Sequence, residues 1–128
     1  AHGLTVNVCD GRYTYFRAAR RDDCCYEYTT SLTTIRDWLG KDIPERIEMG
    51  RFLKNVPFPV YKVPAVKNPI VKDNQYLQED ALYDIQADYG QTQNLTDPDL
   101  VGAMEALLKR ALEENDAPAE QFTRLGLE

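Results

Sequence analysis

Apolar and polar positions alternate near the start of the chain. Leu4, Val6 and Val8 are interleaved with Thr5, Asn7 and Cys9, which is the two-residue period of a strand with one buried face. Asp10-Gly11 predicts a hairpin turn, because glycine tolerates positive φ and an aspartate side chain bonds to nearby backbone. Tyr13-Thr14-Tyr15-Phe16 then returns as a second strand, with aromatic and β-branched residues suited to a pleated surface. Arg17 to Asp23 is a charged connection, and Cys25 to Thr30 has strand character, with Tyr26 and Tyr28 two apart on one face.

The middle of the chain is less regular. Leu32, Ile35, Trp38 and Leu39 share a helical stripe and predict a short helix between Ser31 and Leu39. A second is expected to open at Pro44, burying Ile47, Phe52 and Leu53, before Pro57 and Pro59 interrupt regular structure. Val60 to Val63 reads as a short extended segment, and Pro64 to Glu79 as a polar stretch wrapping the surface. Strand character resumes at Ala81 to Ile85, after which Asp88, Gly90 and Asn94 mark turns.

The strongest pattern follows. Leu95 to Leu100 has the features of a helix entry: Thr96 or Asp97 as cap, Pro98 in the first turn where its missing amide costs nothing, and Leu95 placed to staple against Leu100. Leu100, Val101, Met104, Leu107, Leu108, Ala111 and Leu112 then form one apolar face, which ends near Asn115 to Pro118. Phe122, Leu125 and Leu127 give the tail a final anchor. A helix with such a face needs a cover. The expected fold class is therefore α+β: a small antiparallel sheet of about four strands packed against a C-terminal amphipathic helix.

Composition narrows the function. The 128 residues include 15 Lys or Arg and 21 Asp or Glu, a formal charge of -6, so the chain has no general attraction for nucleic acid or an anionic membrane. No apolar run approaches the roughly 20 residues that span a bilayer. Cys9, Cys24 and Cys25 form neither an even disulfide set nor a zinc box, which favours a reducing, cytoplasmic setting. Cys9 remains placed to meet one of the others across a hairpin, as a thiol neighbour or a disulfide. The beginning, Ala1-His2-Gly3, carries no signal-peptide pattern and is compatible with a piece excised from a longer chain.

Chemistry-bearing groups are scattered. Gly40-Lys41 lacks a phosphate loop, His2 has no second histidine, and Glu45, Glu48, Asp80, Asp84, Asp88, Asp97 and Asp99 show no acid–base spacing; solvated, turn or capping roles are expected for these carboxylates. Asn94-Leu95-Thr96 fits the N-glycosylation spacing but coincides with the helix entry, where capping is the stronger reading. Arg12, Arg17, Arg20 and Arg21 form the main basic cluster. Strand alternation places Arg17 on the face of Tyr13 and Tyr15, where a cation beside aromatics would attract an anionic substrate or a partner carboxylate.

Several segments, taken in order, resemble the C-terminal portion of a bacterial sulfatase-family hydrolase of the alkaline-phosphatase-like superfamily. They are the hairpin Val6 to Ala18, the Cys25-Tyr26-Glu27-Tyr28-Thr29 segment, Leu82-Tyr83-Asp84-Ile85 with Gly90-Gln91-Thr92 and Asn94-Leu95, and Glu114 to Phe122 followed by Arg124-Leu125-Gly126-Leu127. The chain departs from the family at Asp88-Tyr89, where relatives carry Asp-Pro, and at Cys24-Cys25, where they often lack thiols. The family's Cys or Ser-x-Pro-x-Arg nucleophile motif follows none of the three cysteines.

The resemblance implies a noncatalytic subdomain, residues 1–128, whose partner is an absent N-terminal catalytic domain. There a divalent cation such as Ca or Mg and a formylglycine would hydrolyse sulfate esters, or phosphate or phosphonate esters in related enzymes. No cofactor or metal site is expected in this chain itself. Arg12, Tyr15 and Arg17 are the candidates for an exposed edge bordering the substrate cleft, with scaffold roles preferred to catalysis. A freestanding protein-interaction module is the competing reading, and a homo-oligomer is left open.

Overall fold

The computed structural model describes residues 5–21, 23–33, 46–65 and 79–128. They form a mixed α+β fold with two antiparallel three-stranded sheets and two helices. In chain order the elements are β1 (Val6–Cys9), β2 (Tyr13–Arg17), β3 (Tyr26–Thr29), β4 (Glu48–Gly50), β5 (Val60–Pro64), β6 (Ala81–Asp84), α1 (Pro98–Glu114) and α2 (Ala119–Leu125).

The first sheet has the order β1-β2-β6. Its hairpin turns where expected: Gly11 takes φ 100°, and Asp10 Oδ1 accepts from the amides of Arg12 at 2.8 Å and Tyr13 at 2.7 Å. Tyr15 pairs with Val8 on one side and Leu82 on the other, so these three side chains share the face turned toward α1. There Tyr15, Leu82, Met104, Leu108, Leu125 and Leu127 make the core. Full burial of each such leucine or methionine contributes about 1.5–3 kcal/mol.

The expected single sheet of about four strands is corrected to two sheets. β2 has only two edges, and β1 and β6 occupy them, so β3 pairs instead with β5 in a second sheet of order β3-β5-β4. Alternation reveals a strand but not its partner. The helix expected from Pro44 is also corrected, because Glu48–Gly50 is a strand paired with Val60–Lys62. Ile47, Phe52 and Leu53 do not recur at three or four residues, and Gly50 disfavours a helix by about 1 kcal/mol relative to alanine. Leu4, most of the helix expected at Ser31 to Leu39, and most of the stretch from Pro64 to Glu79 lie outside the described residues.

The helix entry is settled in favour of Asp97, whose Oδ1 accepts from the amides of Asp99 at 3.0 Å and Leu100 at 3.3 Å, with Pro98 in the first turn. Leu95 and Leu100 both pack against the core. The anchoring tail is itself a helix, α2, closed by Gly126 at φ 63°. Leu127 N donates to Phe122 O at 2.9 Å and Gly126 N to Thr123 O at 3.2 Å, which stops the helix and turns Leu127 into the core. Among the described residues, no helix is long and apolar enough to cross a membrane.

Candidate functional site

Strand β2 ends at Arg17, and the pleat directs its side chain to the same face as Tyr15. This much follows the sequence expectation. The exposed edge does not: Tyr15 is 0% and Arg17 8% exposed, because α1 and the tail after α2 close over them.

Every nitrogen of the Arg17 guanidinium is engaged. Nε donates to Leu125 O at 2.8 Å and one terminal nitrogen to Gly126 O at 3.1 Å. The other terminal nitrogen lies 2.9 Å from Asp80 Oδ2, 2.9 Å from Glu105 Oε2 and 3.2 Å from the Tyr15 hydroxyl. Asp80, just before β6, completes the cluster. Its Oδ2 also accepts from Tyr15 at 2.9 Å and Arg20 at 2.7 Å, and its Oδ1 from the Ala18 amide at 3.0 Å.

Charge follows from this geometry. Two arginines, Arg17 and Arg20, face two carboxylates, Asp80 and Glu105, so the cluster is formally neutral. Burial alone would push the Asp80 carboxyl up, but the Ala18 amide, the Tyr15 hydroxyl and the two arginines outweigh it and hold it below the usual range. Burial, helped by Asp80 and opposed by Arg17, keeps the Tyr15 hydroxyl protonated to higher pH than usual. Arg17 stays charged despite burial because its acceptors favour the cation. Arg17, held in place by the other groups, donates to the carbonyls of Leu125 and Gly126 at the end of α2; the amides of Arg20 and Arg21 donate likewise to Arg124 O, at 2.8 and 3.2 Å.

Arg12 stands apart at the other end of β2. Its side chain is 57% exposed, donates to Asp84 Oδ2 at 2.9 Å and lies 4.9 Å from the centre of the Tyr13 ring. Asp84 is held below the ordinary carboxylate range first by the Ala87 amide and then by Arg12. The structure therefore separates Arg12 from the Tyr15–Arg17 pair with which the sequence grouped it.

A second polar cluster escaped the sequence reading. Glu120 of α2 accepts from the Tyr28 hydroxyl and pairs with Lys62 Nζ at 3.1 Å. The same ammonium lies 4.2 Å from the Tyr26 ring centre and 5.5 Å from that of Phe52. Burial and then the Glu120 bond push the Tyr28 hydroxyl well up. Burial works against the Glu120 carboxylate, but Tyr28 and Lys62 outweigh it. Tyr26 and Tyr28 were legible as sharing a face; the carboxylate that meets them lies 92 residues beyond Tyr28.

Two grooves lined by described residues border the first sheet. One, of about 340 Å³, lies between Tyr15, Leu82, Leu95 and Val101, and the polar atoms of Tyr15 and Asp80 on its wall are already engaged. The other, of about 460 Å³, is bordered by Asp84, Asp88 and Asp97, each of which binds backbone amides of its own loop. Among the described residues, no group of His, Cys, Asp and Glu side chains could hold a metal ion.

The three cysteines are free thiols, so the cross-hairpin pairing considered for Cys9 does not form. Burial raises the Cys24 thiol, which makes it a poor nucleophile near neutral pH. Asn94 accepts from the Leu82 amide at 2.8 Å, and Thr96 is not the cap. Comparison of the chain with protein-family models, curated proteins and solved structures gives no match.

Proposed function

We propose that this chain is a noncatalytic C-terminal subdomain of a sulfatase-family hydrolase, supporting a catalytic domain and contributing Arg12 to the border of its substrate cleft. The observation that carries the scaffold role is the commitment of Arg17. Each of its three nitrogens is engaged by the chain's own carbonyls, hydroxyl or carboxylates, so it works as a structural pin. An anion seeking Arg17 would have to displace two carboxylates and two backbone carbonyls from a buried site, a large desolvation cost. Arg12, one residue before this strand, reaches solvent, and its pairing with the one carboxylate of Asp84 leaves part of its fork available. The family assignment rests on the order of the hairpin Val6 to Ala18, the Cys25 to Thr29 segment, the Leu82 to Leu95 stretch and the Glu114 to Leu127 tail. In the parent enzyme the divalent cation, the formylglycine and sulfate ester hydrolysis belong to the catalytic domain.

The test has two arms. The purified chain, assayed with activated aryl sulfate and aryl phosphate esters in the presence of Ca or Mg, is expected to give no turnover. The coding sequence upstream is expected to contain the Cys or Ser-x-Pro-x-Arg motif. Robust turnover by the chain alone would overturn the noncatalytic role, and an upstream sequence lacking the motif would overturn the family assignment.

A freestanding interaction module is the second reading. It is favoured by Tyr89, 91% exposed at the tip of the loop after β6, and by exposed Met49 and Phe58.

A further inference from the structure

The outer edge of β1 is the feature that neither the core nor the polar clusters use. Asp10 N donates to Tyr13 O, so these residues form a hydrogen-bonded pair at the hairpin end. Antiparallel alternation then turns the backbone groups of Val8 and Val6 toward β2 and those of Asn7 and Cys9 outward. Asn7 and Cys9 are both exposed, and no described residue takes up their amides and carbonyls.

The other sheet edges are protected. Asn94 Oδ1 accepts from Leu82 N, and Leu95 N donates to Leu82 O, both at 2.8 Å, which covers the outer side of β6. β3 carries Glu27 and β4 carries Glu48, charges that discourage strand addition. From Thr5 to Cys9 the β1 segment has no charge and no proline.

We propose that β1 is the contact edge of a homodimer, in which two copies pair antiparallel about a two-fold axis through Asn7. The argument for a second copy is the sequence of the edge itself. Thr5-Val6-Asn7-Val8-Cys9 reads small uncharged residue, valine, asparagine, valine, small uncharged residue in both directions, which is the self-complementarity that an isologous strand pair requires. Asn7 faces its own counterpart as a hydrogen-bonded pair, Thr5 faces Cys9, and Val6 faces Val8. The valines already pack against the core below α1, so pairing extends one apolar face across a six-stranded sheet. For a chain of charge -6, an uncharged edge brings two copies together without placing like charges opposite each other.

The test is the mass of the intact chain in solution as a function of concentration. It should approach twice the 14.7 kDa of the single chain. Asn7→Lys places two ammonium groups opposite each other at the axis and should raise the dimer dissociation constant about tenfold or more, with the far-ultraviolet circular dichroism unchanged. A second variant guards against misfolding. Incubated with oxidised glutathione, which takes up the two electrons and two protons, Asn7→Cys combined with Cys9→Ser should form a covalent dimer, because opposed Cα atoms of a hydrogen-bonded pair lie about 5.5 Å apart, within disulfide reach. A chain that stays monomeric up to about 1 mM, leaving the edge to a foreign strand, would overturn the proposal. So would a dimer that Asn7→Lys leaves intact, or one in which the thiols introduced at the axis fail to cross-link.

Discussion

At the scale of the residue, Arg12 and Arg17 show how burial divides two arginines of one hairpin into different roles. Arg17 is held by partners 63, 88, 108 and 109 residues away, so its loss unfastens strand, helix and tail together. Arg17→Met should lower stability by about 3–5 kcal/mol, largely because Asp80 and the α2 carbonyls lose their shared donor. Arg17→Lys should recover only part of this, since an ammonium cannot reproduce the planar fork. Arg12→Ala should shift the urea midpoint much less, because that side chain is solvated and has one carboxylate partner. Equal midpoint shifts for the Arg12 and Arg17 variants would contradict the division. Of Arg17's partners only Tyr15, two residues away, was legible in the sequence: the pleat gave their common face, but only the fold brings Asp80, Glu105 and the tail carbonyls to it.

At the scale of the element, local signals were reliable wherever a periodic face coincided with capping or turn chemistry. The Asp10-Gly11 hairpin and α1 are both of this kind, and in each an aspartate carboxylate binds the amides that the backbone leaves free. Asp97→Ala should therefore cost about 1 kcal/mol in urea denaturation, whereas Thr96→Ala, one residue outside the cap, should be nearly neutral. Leu108→Ala, in the dry face of α1, should cost about 2–5 kcal/mol. A Thr96 effect as large as that of Asp97 would return the cap to Thr96. β4 was illegible for the opposite reason. It is three residues long, its apolar neighbours fit no period, and its conformation is set by pairing with β5.

At the scale of the whole molecule, α2 links the two sheets. Its first turn meets the second sheet through Glu120, Tyr28 and Lys62, and its last carbonyls meet the first sheet through Arg17. Both junctions rely on carboxylates, Asp80 and Glu120, held below their ordinary values of 3.8 and 4.5. Groups lowered on folding contribute stability that is fully present above those ordinary values and is lost as pH falls through the lower folded ones. The urea midpoint should therefore be level from neutral pH down to about 5 and fall steeply below about 4. In Asp80→Asn that acid decline should be shallower, from a lower starting stability.

The scaffold role of the Arg17 cluster is open to direct observation through the Arg17 Nε proton, which donates to Leu125 O inside the fold. In a ¹H–¹⁵N spectrum followed while sulfate is added, that signal should exchange slowly with water and stay in place, while the Arg12 guanidinium, being exposed, responds to the salt. A saturable sulfate-dependent shift of the Arg17 signal, or its rapid exchange with solvent, would contradict the account.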